Sequence, residues 1–104
     1  MNVKNKVAIM YDFDETLAPG NMQEYGFIPN LQISANDFWG VAGEIAKKHN
    51  MDSILAYMYT SIQLVKEKKL KISREEFNKQ GEVISFFNGV ESWFKRINEY
   101  GKSL

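Results

Sequence analysis

The hydrophobic positions form one short continuous run near the start of the chain and follow helical spacing thereafter. Residues 7–11 are all apolar and end at Asp12. A run that is apolar on both faces is typical of a buried parallel strand, so the pattern predicts a strand over residues 6–12. Proline and glycine then predict an irregular loop over residues 18–33.

Two amphipathic helices are expected directly after this loop. The first begins at Ser34 or Asn36, either of which can cap it, and ends near His49. The second begins at Asp52, whose carboxylate can accept the unpaired amides of the first turn, and ends in a lysine-rich segment that suits a helix C-terminus. One side of this second helix carries an apolar stripe, made of Leu55, Met58, Tyr59, Ile62 and Val65.

Two further helices are expected in the last third of the chain. One starts at Ser73, which has the capping-box spacing with Glu76. The last covers residues 89–100 and ends at Gly101, a residue that commonly terminates helices. Its apolar stripe consists of Val90, Trp93, Phe94, Ile97 and Tyr100.

A single strand among four helices raises a problem of hydrogen bonding. Its backbone donors and acceptors have no second strand to pair with, and buried groups of this kind are rarely left unpaired. We therefore expect two copies of the chain to form a homodimer by pairing these strands or exchanging the helix at 89–100. The alternative is a short or distorted strand that the chain's own helices cover.

Composition narrows the classes of function. Thirteen Lys and Arg balance thirteen Asp and Glu, so no long-range field attracts nucleic acid or an anionic membrane, and neither is expected as a partner. The chain has no Cys, which excludes disulfides and thiolate metal sites. No apolar run approaches the roughly 18 residues of a membrane helix, and the first residues lack a secretory signal core. These features predict a cytoplasmic protein.

The segment Asp12-Phe13-Asp14-Glu15-Thr16 carries the candidate chemistry. At the end of a strand, two acids two residues apart can turn onto the same crevice. One carboxylate can attack a phosphoryl group while the other protonates the leaving oxygen and later activates water. Oxygen ligands without Cys favour Mg²⁺ over zinc. The simpler interpretation is that these acids merely terminate a strand, but the motif's position directly after the apolar run favours a functional origin.

Residues 7–17 resemble the first motif of the haloacid dehalogenase (HAD) superfamily. The resemblance implies an α/β Rossmann-like core with an inserted helical cap, of which this chain would be mostly α, with one core strand and about four helices. By the same resemblance Asp12 is the nucleophile and a Mg²⁺ ligand, Asp14 is the general acid/base and binds the Mg²⁺ through its backbone carbonyl, and Thr16 is a support for the turn. The implied activity is a Mg²⁺-dependent phosphohydrolase that acts on a small phosphorylated substrate.

The resemblance also implies a division of the chain. Residues 1–17 would form the first core strand and catalytic turn, 18–33 a flap, 34–86 the helical cap, and 87–104 the first core helix. The return segment of the family is similar to residues 86–90. The family's Ser or Thr, its Lys and its additional acids cannot be located in residues 34–104. We therefore expect an N-terminal part of the enzyme that is inactive by itself.

An alternative from another class stays open. The chain could be a non-catalytic helical interaction module whose acidic turn only binds a cation. His49 is assigned no function, because a solvent-facing His near a helix end is more common than a metal ligand without a partner. Tyr25 and Phe27, in the predicted flap, are equally balanced between substrate contact and packing.

Overall fold

The computed structural model describes residues 5–104, which contain helices and no β-strand. This confirms that the chain is mostly α. The residues divide into two compact units, one formed by residues 5–20 with 85–104 and the other by residues 21–84. No helix in the described range is long and apolar enough to cross a membrane. A 3₁₀ turn at Met22–Glu24 precedes five helices: α1 (Phe27–Asn30), α2 (Ala35–Lys48), α3 (Ser53–Glu67), α4 (Arg74–Gly81) and α5 (Val90–Ser103).

The predicted strand over residues 6–12 is not formed. These residues have no regular secondary structure, and the β-type pairing within the described part of the chain is an isolated bridge between Asp14 and Ala18. The side chains of Val7 and Met10 are 86% and 92% exposed. A strand is held by hydrogen bonds to a neighbour, and residues 5–104 offer no second strand. The apolar run therefore remains without regular secondary structure.

The predicted helix starts are confirmed for α2, α3 and α4. Ser34 caps α2 through its hydroxyl, which accepts a hydrogen bond from a backbone amide three residues on at 3.1 Å. Asp52 caps α3 with one carboxylate oxygen that accepts from two backbone amides. Ser73 caps α4 in the manner of Ser34, at 3.2 Å. Each cap satisfies donors that the first turn of a helix leaves unpaired.

Two other predictions of local structure are wrong. The segment predicted as an irregular loop over 18–33 contains the 3₁₀ turn and α1, which bring the number of helices to five instead of four. Burial stabilises this short helix, because Ile28 is only 1% exposed. Gly101 does not end the last helix, which continues to Ser103. A glycine in a helix costs about 1 kcal/mol and does not forbid the helix.

The hydrophobic core of the unit at 21–84 lies between α1, α2 and α3. Its central residue is Phe38 of α2, which is fully buried. α2 and α3 pack against each other, and their buried positions include the small residues Ala42, Ala56 and Thr60. Small side chains allow two helix backbones to approach closely. The core cluster consists of Ile28, Leu31, Phe38 and Val65.

The apolar stripe predicted on α3 faces away from this core. Ala56 and Thr60, which the stripe does not include, are buried instead. Of the stripe, Val65 alone is buried, and the other members are 47–59% exposed: Leu55, Met58, Tyr59 and Ile62.

Gly26, just before α1, lies close to the backbone of α4. A Cβ added there would lie 2.9 Å from the carbonyl oxygen of Gln80 and 3.0 Å from its Cα. These are backbone atoms of α4, so rotation of a side chain cannot relieve the contact. The glycine thereby lets α4 lie against the start of α1.

We expect Gly26→Ala to destabilise the chain by about 1–3 kcal/mol, the usual cost of overpacking. Gly43→Ala is the matched control, since no atom lies within 4 Å of a Cβ built at this position in α2. The control should stabilise by up to about 1 kcal/mol through helix propensity. Urea unfolding followed by circular dichroism measures both changes. Equal effects of the two substitutions would contradict the close approach.

A charged side chain links the 3₁₀ turn to α2. Glu24 Oε1 accepts a 2.7 Å hydrogen bond from the indole nitrogen of Trp39 and one of 3.2 Å from the side chain of Asn21. Partial burial by itself raises the pKa of the Glu24 carboxyl, but the hydrogen bonds from Trp39 and Asn21 outweigh it and hold the pKa below its ordinary value. The carboxylate is therefore stabilised in the folded state.

The lowered pKa of Glu24 gives a pH-dependent prediction. Its contribution to stability is present above the ordinary pKa of the carboxyl and is lost as pH falls through the lower folded-state pKa. Glu24→Gln should therefore reduce the free energy of unfolding most at pH 7, with a smaller difference at pH 3. Urea titrations at both pH values measure it. In a Trp39→Phe background the same difference should shrink, and a difference independent of pH in the wild-type background would contradict the assignment.

Candidate functional site

The acidic segment folds into a closed turn. The carbonyl oxygen of Phe13 accepts hydrogen bonds from three successive backbone amides, those of Thr16 at 3.2 Å, Leu17 at 2.9 Å and Ala18 at 3.4 Å. Within residues 5–20 and 85–104, Ala18 is the one fully buried side chain. The turn thus satisfies much of its own backbone hydrogen bonding without a sheet.

A left-handed backbone conformation closes the same turn. Glu15 has φ of 58°, which is uncommon for a residue other than glycine. Its amide donates a 3.2 Å hydrogen bond to the carbonyl of Gly20, so the chain is held at both ends of the turn. Non-glycine residues in this region cost about 1–2 kcal/mol and persist where the surrounding structure fixes them.

The predicted site residues lie on this turn and directly before it. Asp12 is exposed and precedes the turn, whereas Asp14 is half-buried within it. Thr16 is exposed, and its backbone amide is one of the three that donate to the carbonyl of Phe13. Among residues 5–104 no group of three or more His, Asp or Glu side chains is gathered for a metal ion.

The turn is tied to a segment far along the chain. The carbonyl of Leu17 accepts a 3.0 Å hydrogen bond from the amide of Phe87. The rings of Phe13 and Phe86 meet edge to face, with centroids 6.1 Å apart. The chain therefore leaves this unit at residue 20, forms the separate helical unit, and returns to the turn at residue 85.

An aromatic cluster beside Asp12 was not predicted from the sequence. The indole nitrogen of Trp93 donates a 2.6 Å hydrogen bond to the hydroxyl of Tyr11, whose ring meets that of Phe94 edge to face at 5.5 Å. The guanidinium of Arg96 lies 5.5 Å from the Trp93 ring centre, within cation–π distance. Helical spacing placed Trp93 on an apolar face, but no local signal identifies its partner 82 residues away.

The remaining candidates are explained by packing or stay unassigned. Phe27 stacks on Phe77 with ring centroids 6.0 Å apart, so its ring is engaged in the helical unit. Tyr25 is half-buried, and His49 is exposed at the end of α2. A surface depression beside Phe27 has a volume of about 10 Å³, room for about one water molecule and not for a phosphorylated substrate.

Comparisons with protein-family models, with characterised proteins and with solved structures found no match to this chain.

We expect Glu15→Gly to stabilise the unit that contains the turn by about 1 kcal/mol, since glycine adopts this φ without strain. Glu15→Val should destabilise it, because a β-branched side chain tolerates the left-handed region poorly. In a Trp39→Phe background Trp93 is the sole tryptophan, so its fluorescence during urea unfolding reports on this unit. A loss of stability in Glu15→Gly would show that the side chain itself holds the turn.

Proposed function

We propose that this chain contains the first catalytic segment of a Mg²⁺-dependent phosphohydrolase of the HAD superfamily, with Asp12 as nucleophile and Asp14 as general acid/base. The observation that carries the proposal is the closed turn, in which Asp14 is half-buried and Asp12 precedes it exposed to solvent. A fixed turn removes conformational freedom from the segment that must position two carboxylates on one substrate.

The course of the chain gives further support. In the sequence, the compact helical unit at 21–84 is inserted between the acidic turn and the segment whose Phe87 amide bonds to that turn. Such an insertion agrees with the helical cap that the sequence resemblance implies. The α/β core that the resemblance also implies is part of the proposal, although residues 5–104 form no strand of it.

The proposed reaction has two steps. In the first, a carboxylate oxygen of Asp12 attacks the phosphorus of a phosphate monoester, the bond to the leaving oxygen breaks, and Asp14 gives that oxygen a proton. In the second, Asp14 takes a proton from water as the water oxygen attacks the phosphorus of the aspartyl-phosphate, and the bond between phosphorus and the Asp12 oxygen breaks. Inorganic phosphate leaves and both carboxyl groups return to their starting states. The substrate class is a small phosphorylated compound.

The donor atoms of the turn suit a Mg²⁺ ion. The carboxylate of Asp12 and the backbone carbonyl of Asp14 are hard oxygen ligands, and Mg²⁺ commonly takes one or two carboxylates and keeps water or phosphate oxygens in its other positions. When bound, the ion supplies positive charge that offsets the repulsion between carboxylate and phosphate.

Exposure of the nucleophile predicts low activity for these 104 residues alone. Phosphoryl transfer depends on charge stabilisation in a site that excludes water, and Asp12 is exposed. We expect turnover of a generic phosphate ester far below the usual enzyme rate of about ten per second.

Substitutions at the two acids test the proposal. With acetyl phosphate and Mg²⁺, the wild-type chain should acquire at most a trace of one phosphoryl group per molecule, detected by intact-mass spectrometry. Asp14→Asn should accumulate this species, because it lacks the base for the second step, and Asp12→Asn should not form it. In any longer form that hydrolyses phosphate esters, Asp12→Asn should abolish turnover and Asp14→Asn should lower it about a hundredfold or more.

Asp37→Asn, an equivalent change at an exposed position of α2, is the control and should behave as the wild type. Mg²⁺ titration followed by amide shifts of residues 12–18 gives a readout independent of turnover. Binding of Mg²⁺ without phosphorylation in any variant would favour the alternative of a cation-binding interaction module. Phosphorylation that persists in Asp12→Asn would contradict Asp12 as nucleophile.

A further inference from the structure

The turn before α5 contains the one Asn-Gly pair of the sequence, Asn88-Gly89. The amide of Val90 donates a 3.2 Å hydrogen bond to the carbonyl of Phe87, which closes residues 87–90 as a β-turn. Gly89 has φ of 90° and ψ of −12°, and Asn88 has no positive φ, so the turn is of type II. Glycine adopts this φ without strain. We call residues 87–90 the Asn88 turn.

The two residues at the tip of the Asn88 turn are open to solvent and to each other. Both Asn88 and Gly89 are exposed. The Gly89 amide donates to no backbone carbonyl of the described residues. An amide outside a hydrogen bond loses its proton to solvent more readily than one inside a helix. Because Gly89 has no Cβ, nothing crowds the approach of its nitrogen to the side chain of the preceding residue.

We propose that Asn88 is a site of spontaneous deamidation through a succinimide. The backbone nitrogen of Gly89, after loss of its proton to hydroxide, attacks Cγ of Asn88. The new bond between this nitrogen and Cγ closes a five-membered ring, the bond between Cγ and Nδ2 breaks, and ammonia leaves after taking a proton from water. The attack is intramolecular, and the proximity of the two groups favours it over attack by free water.

Water then opens the ring at either of its two carbonyls. Cleavage of the bond between Cγ and the Gly89 nitrogen gives an aspartate at position 88 with the ordinary backbone. Cleavage of the bond between the backbone carbonyl carbon and the same nitrogen gives an isoaspartate, whose main chain runs through Cβ and Cγ. Either way one water replaces the ammonia that was lost, and no oxidant or cofactor takes part.

The same chain contains an internal comparison at Asn50. Like Asn88, it is exposed and lies outside the helices. The next amide, that of Met51, donates a 2.8 Å hydrogen bond to the carbonyl of Ala46, and Met51 carries a Cβ. Both features oppose attack on the Asn50 side chain, so the reaction is selective for the Asn88 turn.

The position of the Asn88 turn gives the isoaspartyl product a consequence for the acidic turn. Phe87 donates its amide to the carbonyl of Leu17 and accepts the hydrogen bond from Val90. An isoaspartate adds one carbon to the main chain between Phe87 and Val90, so the bond that closes the Asn88 turn no longer fits. The aspartyl product leaves the length of the main chain unchanged. Isomerisation therefore loosens the unit that contains the acids, whereas the new charge alone does not.

Incubation of the full chain in mildly alkaline buffer tests the reaction. Intact-mass spectrometry should show the increase that replacement of NH by O gives, and tryptic peptides should assign it to position 88 as two separable forms, aspartate and isoaspartate. The rate should rise in proportion to hydroxide concentration. Asn88→Gln should lower the rate by about tenfold or more, because its longer side chain reaches the geometry of attack less readily. The peptide that contains Asn50 should stay unmodified.

Urea unfolding tests the consequence for the unit. In a Trp39→Phe background, the fluorescence of Trp93 should give a lower urea midpoint for the purified isoaspartyl form than for the fresh chain. Asn88→Asp is the matched control, because it carries the same new charge on an ordinary backbone, and it should unfold close to the midpoint of the fresh chain. Equal midpoints for the isoaspartyl form and Asn88→Asp would contradict the effect on the unit.

Three results would overturn the modification itself. One is a chain whose Asn88 stays intact while a synthetic peptide of residues 80–95 is converted in the same buffer. Another is aspartate at position 88 without isoaspartate, which would indicate direct hydrolysis in place of ring closure. The third is a rate of deamidation at Asn50 equal to that at Asn88.

Discussion

The requirement that backbone amides and carbonyls find partners governs the part of this protein that carries the acids. The apolar segment before Asp12 has the composition of a buried strand, yet residues 5–104 contain no strand to receive its hydrogen bonds. The pairing is instead local, with three amides converging on the carbonyl of Phe13. Because these bonds lie within six residues, the turn forms without a sheet, while the segment before it has no regular secondary structure and is exposed.

Whether an interaction joins residues close together in the sequence also explains what the sequence could predict. Helix caps at Ser34, Asp52 and Ser73 were predicted correctly because a cap depends on a side chain and an amide two or three residues apart. The strand depends on partners that local sequence does not contain, and its prediction was wrong. Gly101 was wrongly predicted to end the last helix. Glycine is less favourable in a helix than alanine by only about 1 kcal/mol, and α5 continues through it.

Periodicity also located the apolar side of α3 without showing which side is buried. In the folded unit, Ala56 and Thr60 lie inside, where small side chains permit α2 to approach, and the larger apolar residues lie outside. The sequence pattern did not predict two side-chain hydrogen bonds, one between Glu24 and Trp39 and one between Tyr11 and Trp93. Each joins residues on different elements, so only the folded chain shows them.

The bond between Tyr11 and Trp93 closes a loop of 82 residues, and this has a consequence for the order of folding. The entropy lost on closing a loop increases with its length, whereas helices and their close neighbours form from local contacts. The helical unit at 21–84 lies entirely within that loop. We therefore expect it to fold first, because its contacts do not require this long loop to close. In the reverse direction we expect the unit with the acids to open first, with amides that exchange hydrogen faster than those of α2 and α3.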